Sequence, residues 1–212
     1  MLTVHHLGVS QSERIIWLCE ELELPYELIR YDRTESYRAP PEYKALHPVG
    51  AAPVIQDDEI VLAESGAVIE YILLKYGQGR LTLRPDQPGF ADSLFWFHYA
   101  NASMLAGEMS GLMLNGAGAG DDTPSQQWQK TRSEAGFALA DTRLAEATWF
   151  AGDTFTAADI MMVFPLTTMR AFTRRDLSAY PNILAYLGRI GERPAYRRAM
   201  QKGDPDMKPL LD

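Results

Sequence analysis

The hydrophobic period of this chain changes once, near residue 81, and that change restricts the fold more than any other feature. Before it, short apolar runs of strand length alternate with stretches that repeat every three to four residues; after it only the helical period remains. "LTVHHL" (Leu2–Leu7) reads as a strand. "SERIIWLCEELEL" places Ile15, Leu18, Cys19 and Leu22 on one helical face, and Pro25 ends it. "YELIRY", from Tyr26, is a second strand; residues 32–41 are polar, and a short helix is expected over 42–46. Pro53 opens a third strand, joined to Ile60–Ala63 through Asp57, Asp58 and Glu59. "SGAVIEYILLKYG" predicts a helix that buries Val68, Ile69, Ile72, Leu73 and Tyr76 and stops at Gly77. A β-α-β crossover makes two strands parallel neighbours, and the hairpin adds antiparallel ones. Residues 1–80 therefore predict an α/β unit, a small mixed sheet with helices against it.

Residues 81–89 hold two prolines and no periodicity, the composition of a linker. Helices are expected over 90–114, 126–148, 157–172, 182–190 and 194–200, so 90–212 reads as all-α. The G-x-G-x-G run within 115–124 follows no strand, which makes it an inter-helix loop and not a nucleotide cradle. "FTAADI" specifies a helix start closely. Thr156 is the N-cap, Asp159 the third residue of a capping box, and Phe155 with Ile160 a hydrophobic staple.

Charge and histidine placement exclude several function classes. A formal charge of −8 leaves no basic stripe for nucleic acid. "MLTVHHLGVSQSER" lacks the pattern of a secretory leader, and no run approaches the ~18 apolar residues of a membrane span. The one cysteine, Cys19, has no internal partner, which fits a reducing cytoplasm. His5 and His6 should point to opposite faces of a strand, and His47 and His98 lack partners at ligand spacing, so no metal site is expected.

Three short features carry possible chemistry. Ser10 to Glu13 has the spacing of a capping box. Ser65, at a helix start, can cap that helix or give its hydroxyl and N–H to a carboxylate, while Glu64 beside it can pair with an ammonium. An α-amino acid head group fits that pair. Pro53 at a strand mouth reads, taken alone, as a trans proline on an edge strand.

In order, "HHLGVSQSERIIWLCEEL", "GAAPV", "ES", "T-x-x-D" and "YPNILAYLGRIGERPAYRRAM" make essentially the whole chain resemble a cytosolic glutathione transferase. The opening segment is most similar to a bacterial and fungal branch that uses serine in place of tyrosine. The resemblance implies a thioredoxin-like domain at 1–80 with a mixed four-stranded sheet, then an all-helical domain at 90–212 that contributes the electrophile site. It implies that Pro53 is cis and that Ala52 offers its backbone to the cysteinyl part of glutathione. Glu64 and Ser65 would hold the γ-glutamyl end. The Ser10 hydroxyl would bond the sulfur, with Ser12 the rival; Ser10 is preferred because its place before Arg14 matches the serine of related enzymes. A thiol of pKa about 8.5 is only a few per cent ionised at neutral pH, and lowering it by ~2 units raises the thiolate roughly twentyfold.

Many relatives carry a lysine or histidine just before the proline. Here Gly50, Ala51 and Ala52 stand there, so Arg38 or Lys44 is expected to meet the glycine carboxylate. Val9 and Met104 are expected to border the electrophile. The resemblance further implies glutathione as co-substrate with no cofactor or metal, a small apolar electrophile as partner, a homodimer, and a cytoplasmic location. Conjugation is the leading expectation. Reduction of a disulfide or peroxide by bound glutathione and a non-catalytic binding role are the alternatives; Cys19, mid-helix on the buried face, supplies no redox thiol.

Overall fold

Strand β1 (Leu2–Leu7) lies inside a four-stranded sheet of order β2-β1-β3-β4. The computed structural model describes residues 1–118, 120 and 123–212; Ala119, Asp121 and Asp122, part of the expected inter-helix loop, lie outside them. β1 runs parallel to β2 (Glu27–Tyr31) and antiparallel to β3 (Val54–Asp57), which pairs antiparallel with β4 (Ile60–Ala63). This is the mixed sheet that the β-α-β crossover and hairpin require. As an inner strand β1 is buried along nearly its whole length, so His5 and His6 are both enclosed.

Helices α1 (Glu13–Glu21), α2 (Pro41–Lys44) and α3 (Ser65–Tyr76) follow in the order expected. They belong to one compact unit, Met1–Thr82, which also takes in Gly191–Pro209 and so helix α10 (Pro194–Gly203). Its core of Val4, Ile15, Ile16, Leu18, Ile55, Ile69 and Ile72 has no exposure. α10 packs on α1: Trp17 meets Tyr196 edge-on at 5.0 Å between ring centroids, and Arg193 forks onto the Glu21 carboxylate at 2.7 and 2.8 Å. Glu20, buried, takes Arg198 at 2.7 Å and the Lys202 ammonium. Cys19 sits between, and burial, then the Glu20 charge, push its thiol up to about 12. Tyr76, expected in the core, is half-buried, and its hydroxyl donates to the buried Asp57 carboxylate at 2.6 Å.

The second unit is Leu83–Ile190 with Leu210–Asp212. It holds α4 (Phe90–Tyr99), a π-helical turn (Ala100–Leu105), α5 (Ala106–Gly116), α6 (Pro124–Glu146), α7 (Ala157–Leu166), α8 (Arg170–Thr173) and all but the last two residues of α9 (Pro181–Glu192). The single helix expected over 90–114 is thus interrupted by a turn in which hydrogen bonds reach five residues instead of four. The helix expected over 157–172 carries Pro165 inside its last turn, stops at Leu166 and restarts at Arg170. The capping box at Thr156 and Asp159 forms as read. Asp159 accepts the Thr156 amide at 2.9 Å and the Phe150 amide at 3.0 Å. Among the described residues no helix is long and apolar enough to cross a membrane, and no group of three or more metal-ligating side chains could hold an ion.

Candidate active site

The first helix mouth is built at the end of β1. After Leu7 the chain turns sharply, and Val9 adopts φ +52°, a conformation that a β-branched residue holds only under constraint. The constraint is visible. The Val9 amide donates to Asp204 Oδ1 at 2.9 Å. Arg33 donates its Nε to the Gly8 carbonyl at 2.8 Å and its Nη2 to the Val9 carbonyl at 2.9 Å.

This turn folds both serines back toward β1. Ser10 Oγ donates to the Leu7 carbonyl at 2.6 Å and lies 2.8 Å from Ser12 Oγ. Ser12 Oγ accepts the Leu7 amide at 3.1 Å and lies 2.8 Å from His6 Nδ1. His6 Nε2 is 3.2 Å from Asp204 Oδ2. Burial works to raise the Asp204 carboxyl, but His6 and the Val9 amide outweigh it and hold it below the ordinary carboxylate value. Gly203 makes this approach possible: a Cβ there would stand 2.8 Å from Ile16 Cδ1 and 3.2 Å from His6 Nε2. The capping-box spacing of Ser10 and Glu13 resolves otherwise, for α1 starts after Ser12 with no side-chain cap, and Ser10 Oγ takes the Ser12 amide at 3.3 Å.

The second mouth joins β4 to α3. The Ala52–Pro53 peptide at the start of β3 is cis. Glu64 holds φ +74° and turns an exposed carboxylate outward that takes no hydrogen bond or ion pair among the described residues. Ser65 is the first helical residue and not a side-chain cap. Its buried hydroxyl donates to Gln11 Oε1 at 3.3 Å and accepts from Arg14 Nη1 at 3.3 Å, while Arg14 Nη1 also donates to Gln11 Oε1 at 2.8 Å. Arg14, fully enclosed, is drawn down to about 9 by desolvation, with Glu13 acting in the opposite direction. Arg14 and Gln11 thus connect the two mouths.

The remaining expected residues are scattered. Arg38 and Lys44 are exposed, and neither cation has an ion pair among the described residues. Val9 is half-buried beside Ser10. Met104, in the helical unit, lines a cavity of about 250 Å³ there with Tyr99, Arg132 and Phe137. His6, Gln11, Arg33 and Asp204 were not anticipated. The nearness of His6 to Ser10 in the chain was a usable signal; Asp204, 198 residues from His6, offered none.

A mixed sheet with a cis proline at one strand mouth, followed by a bundle of helices, defines a thioredoxin-like domain joined to an all-helical one. The chain belongs to the glutathione S-transferase family: the N-terminal domain profile of that family matches residues 2–73 and the C-terminal domain profile residues 98–194. It is 35% identical to glutathione S-transferase 3 of Schizosaccharomyces pombe, over 95% of this chain and 88% of that one. It is 31% identical to glutathione S-transferase GstB of Escherichia coli, over 90% and 93%. A crystal structure of a glutathione S-transferase from Actinobacillus pleuropneumoniae superposes with TM-score 0.88 at 36% identity, covering 96% of this chain and 93% of that one. The protein is an enzyme that conjugates glutathione, its co-substrate, to electrophiles.

Proposed function

We propose that this transferase is of the serine type found in a bacterial and fungal branch, with Ser10 bonding the sulfur of glutathione and a small apolar electrophile as acceptor. One observation carries the choice of serine. Ser12 has no exposure and its hydroxyl is enclosed by His6, Leu7 and Ser10, whereas Ser10 keeps 5% of its surface. The unpaired Glu64 carboxylate suits the γ-glutamyl ammonium, and Ser65 at the α3 N-terminus suits the carboxylate beside it. Ala52, before the cis Pro53, offers its backbone to the cysteinyl unit. Arg38, with Lys44 as the alternative, meets the glycine carboxylate. Val9 and Met104 border the acceptor. The raised, enclosed Cys19 thiol favours conjugation over a disulfide exchange through the chain's own cysteine.

The proposal extends to a cytoplasmic homodimer. Leu74 on α3 is 87% exposed, an apolar side chain that a second copy would cover. The reading is tested by titrating glutathione while following ultraviolet thiolate absorbance, then adding an aryl halide. A saturable thiolate signal and a thioether product are expected. Binding with the thiol still protonated at neutral pH, and turnover only of mixed disulfides, would overturn it.

A further inference from the structure

We propose that His6, held by Asp204, takes up the proton that the thiol of bound glutathione gives up, received through Ser10 and Ser12. The inference rests on the reading that Ser10 faces the sulfur. Its basis is a buried line of polar atoms: Asp204 Oδ2 to His6 Nε2 at 3.2 Å, His6 Nδ1 to Ser12 Oγ at 2.8 Å, Ser12 Oγ to Ser10 Oγ at 2.8 Å. His6 and Ser12 have no exposure, and the close approach of Gly203 leaves no gap beside the imidazole.

The hydrogens on this line can be counted. The Asp204 carboxylate only accepts, so His6 Nε2 carries a hydrogen. In a neutral ring Nδ1 is then an acceptor and takes the Ser12 hydroxyl hydrogen. Ser12 Oγ, already receiving the Leu7 amide, is left to accept from Ser10. In this state the Ser10 hydrogen goes to Ser12 or to the Leu7 carbonyl at 2.6 Å, and none is left for a sulfur. An arriving thiol completes the line as a donor to Ser10. When the S–H bond breaks, its electron pair stays on sulfur and its proton passes to Ser10 Oγ. The Ser10 hydrogen moves to Ser12 Oγ, and the Ser12 hydrogen to His6 Nδ1, where one N–H bond forms. The imidazolium is then paired with Asp204, and Ser10 now donates to the thiolate. Proton uptake and thiolate stabilisation become one event.

Arg30 in β2 and Arg33 just after it also act on the Asp204 charge. Both are guanidinium groups with donors only, so neither is a rival base. His6 and Asp204 are buried, with Ser12 and Ser10 next along the line, so they are positioning residues that also hold the proton.

The test uses the intact enzyme. Glutathione binding is measured by calorimetry at neutral pH in two buffers of different ionisation enthalpy, alongside thiolate absorbance. The expected result is thiolate formation with well under one proton released per site. Nitrogen NMR should show the His6 ring becoming doubly protonated with glutathione but not with S-methylglutathione, which has no thiol proton. His6→Asn and Asp204→Asn, checked for folding by S-methylglutathione binding, should release a full proton per thiolate. Their neutral-pH turnover should fall roughly tenfold and recover as pH rises. A full proton released by the unaltered enzyme, with His6 neutral throughout, overturns the relay while leaving Ser10 as the sulfur's donor. Glutathione bound with no thiolate at all overturns both.

Discussion

At the residue scale the informative positions are those where local spacing suggested one role and tertiary contacts imposed another. Ser10 and Ser12 read as competitors for one task, yet their hydroxyls meet at 2.8 Å and act on one another. On the proposed assignment, removing Ser10 leaves the sulfur without its donor. Ser10→Ala should therefore raise the apparent pKa in the pH–rate profile by ~1–2 units and lower neutral-pH turnover about tenfold or more. Glutathione affinity should change little, because the peptide's other contacts remain. An unchanged profile would return Ser10 to a purely local role. Ser65 is a different case. A capping serine is costly to remove, but this one makes no cap and holds two long bonds of 3.3 Å. Ser65→Ala should cost under about 1 kcal/mol of stability while weakening glutathione roughly tenfold. Thermal melting and calorimetry separate the two; a lower melting temperature with unchanged affinity would refute the assignment.

At the scale of elements, those with strictly local causes were legible in the chain. The Thr156–Asp159 box forms as its spacing requires, because the bonds of the box itself join residues no more than three positions apart. The same carboxylate also accepts the Phe150 amide at 3.0 Å and the Tyr186 hydroxyl at 3.3 Å, which makes Asp159 more important than a cap alone. Asp159→Ala leaves two buried amides without acceptors, which should cost roughly 3–5 kcal/mol and lower the melting temperature by about 10 °C. Denaturant titration checks this; a loss under 1 kcal/mol would contradict it. Strand β3 and helix α3 are also joined through the Asp57 carboxylate. Burial raises the Asp57 carboxyl, yet Lys75, Tyr76 and Tyr71 together hold it down to about 2. A depressed carboxylate stabilises the fold fully above its ordinary value of 3.8 and loses that contribution as pH falls toward 2. Asp57→Asn should flatten the acid-side decline of melting temperature in that window. The π-helical turn at Ala100–Leu105 had no signal, since nothing in an apolar period distinguishes a four-residue from a five-residue hydrogen bond.

At the scale of the whole molecule, the proposed dimer is tested at Leu74, which is 87% exposed. Sedimentation at micromolar concentration should find twice the 23.8 kDa chain mass, and Leu74→Glu should shift it toward one. A single-chain species in the unaltered protein would remove the dimer. The sequence by itself determined the mixed sheet, the helical region after residue 81, the strand-mouth proline and the two serine-bearing helix starts. Each of these depends on side-chain period or on bonds between near neighbours, and such forces act before the chain closes on itself. Only the tertiary structure decided that Gly191–Pro209 joins the unit formed by Met1–Thr82. The same packing brings Asp204 to His6 and Val9, and Arg14 to both Gln11 and Ser65. Those contacts join residues up to 198 positions apart, and no local pattern encodes them. They form when α10 packs on α1 and the two helix mouths meet, with buried charges and hydroxyls driven to find partners once water is excluded.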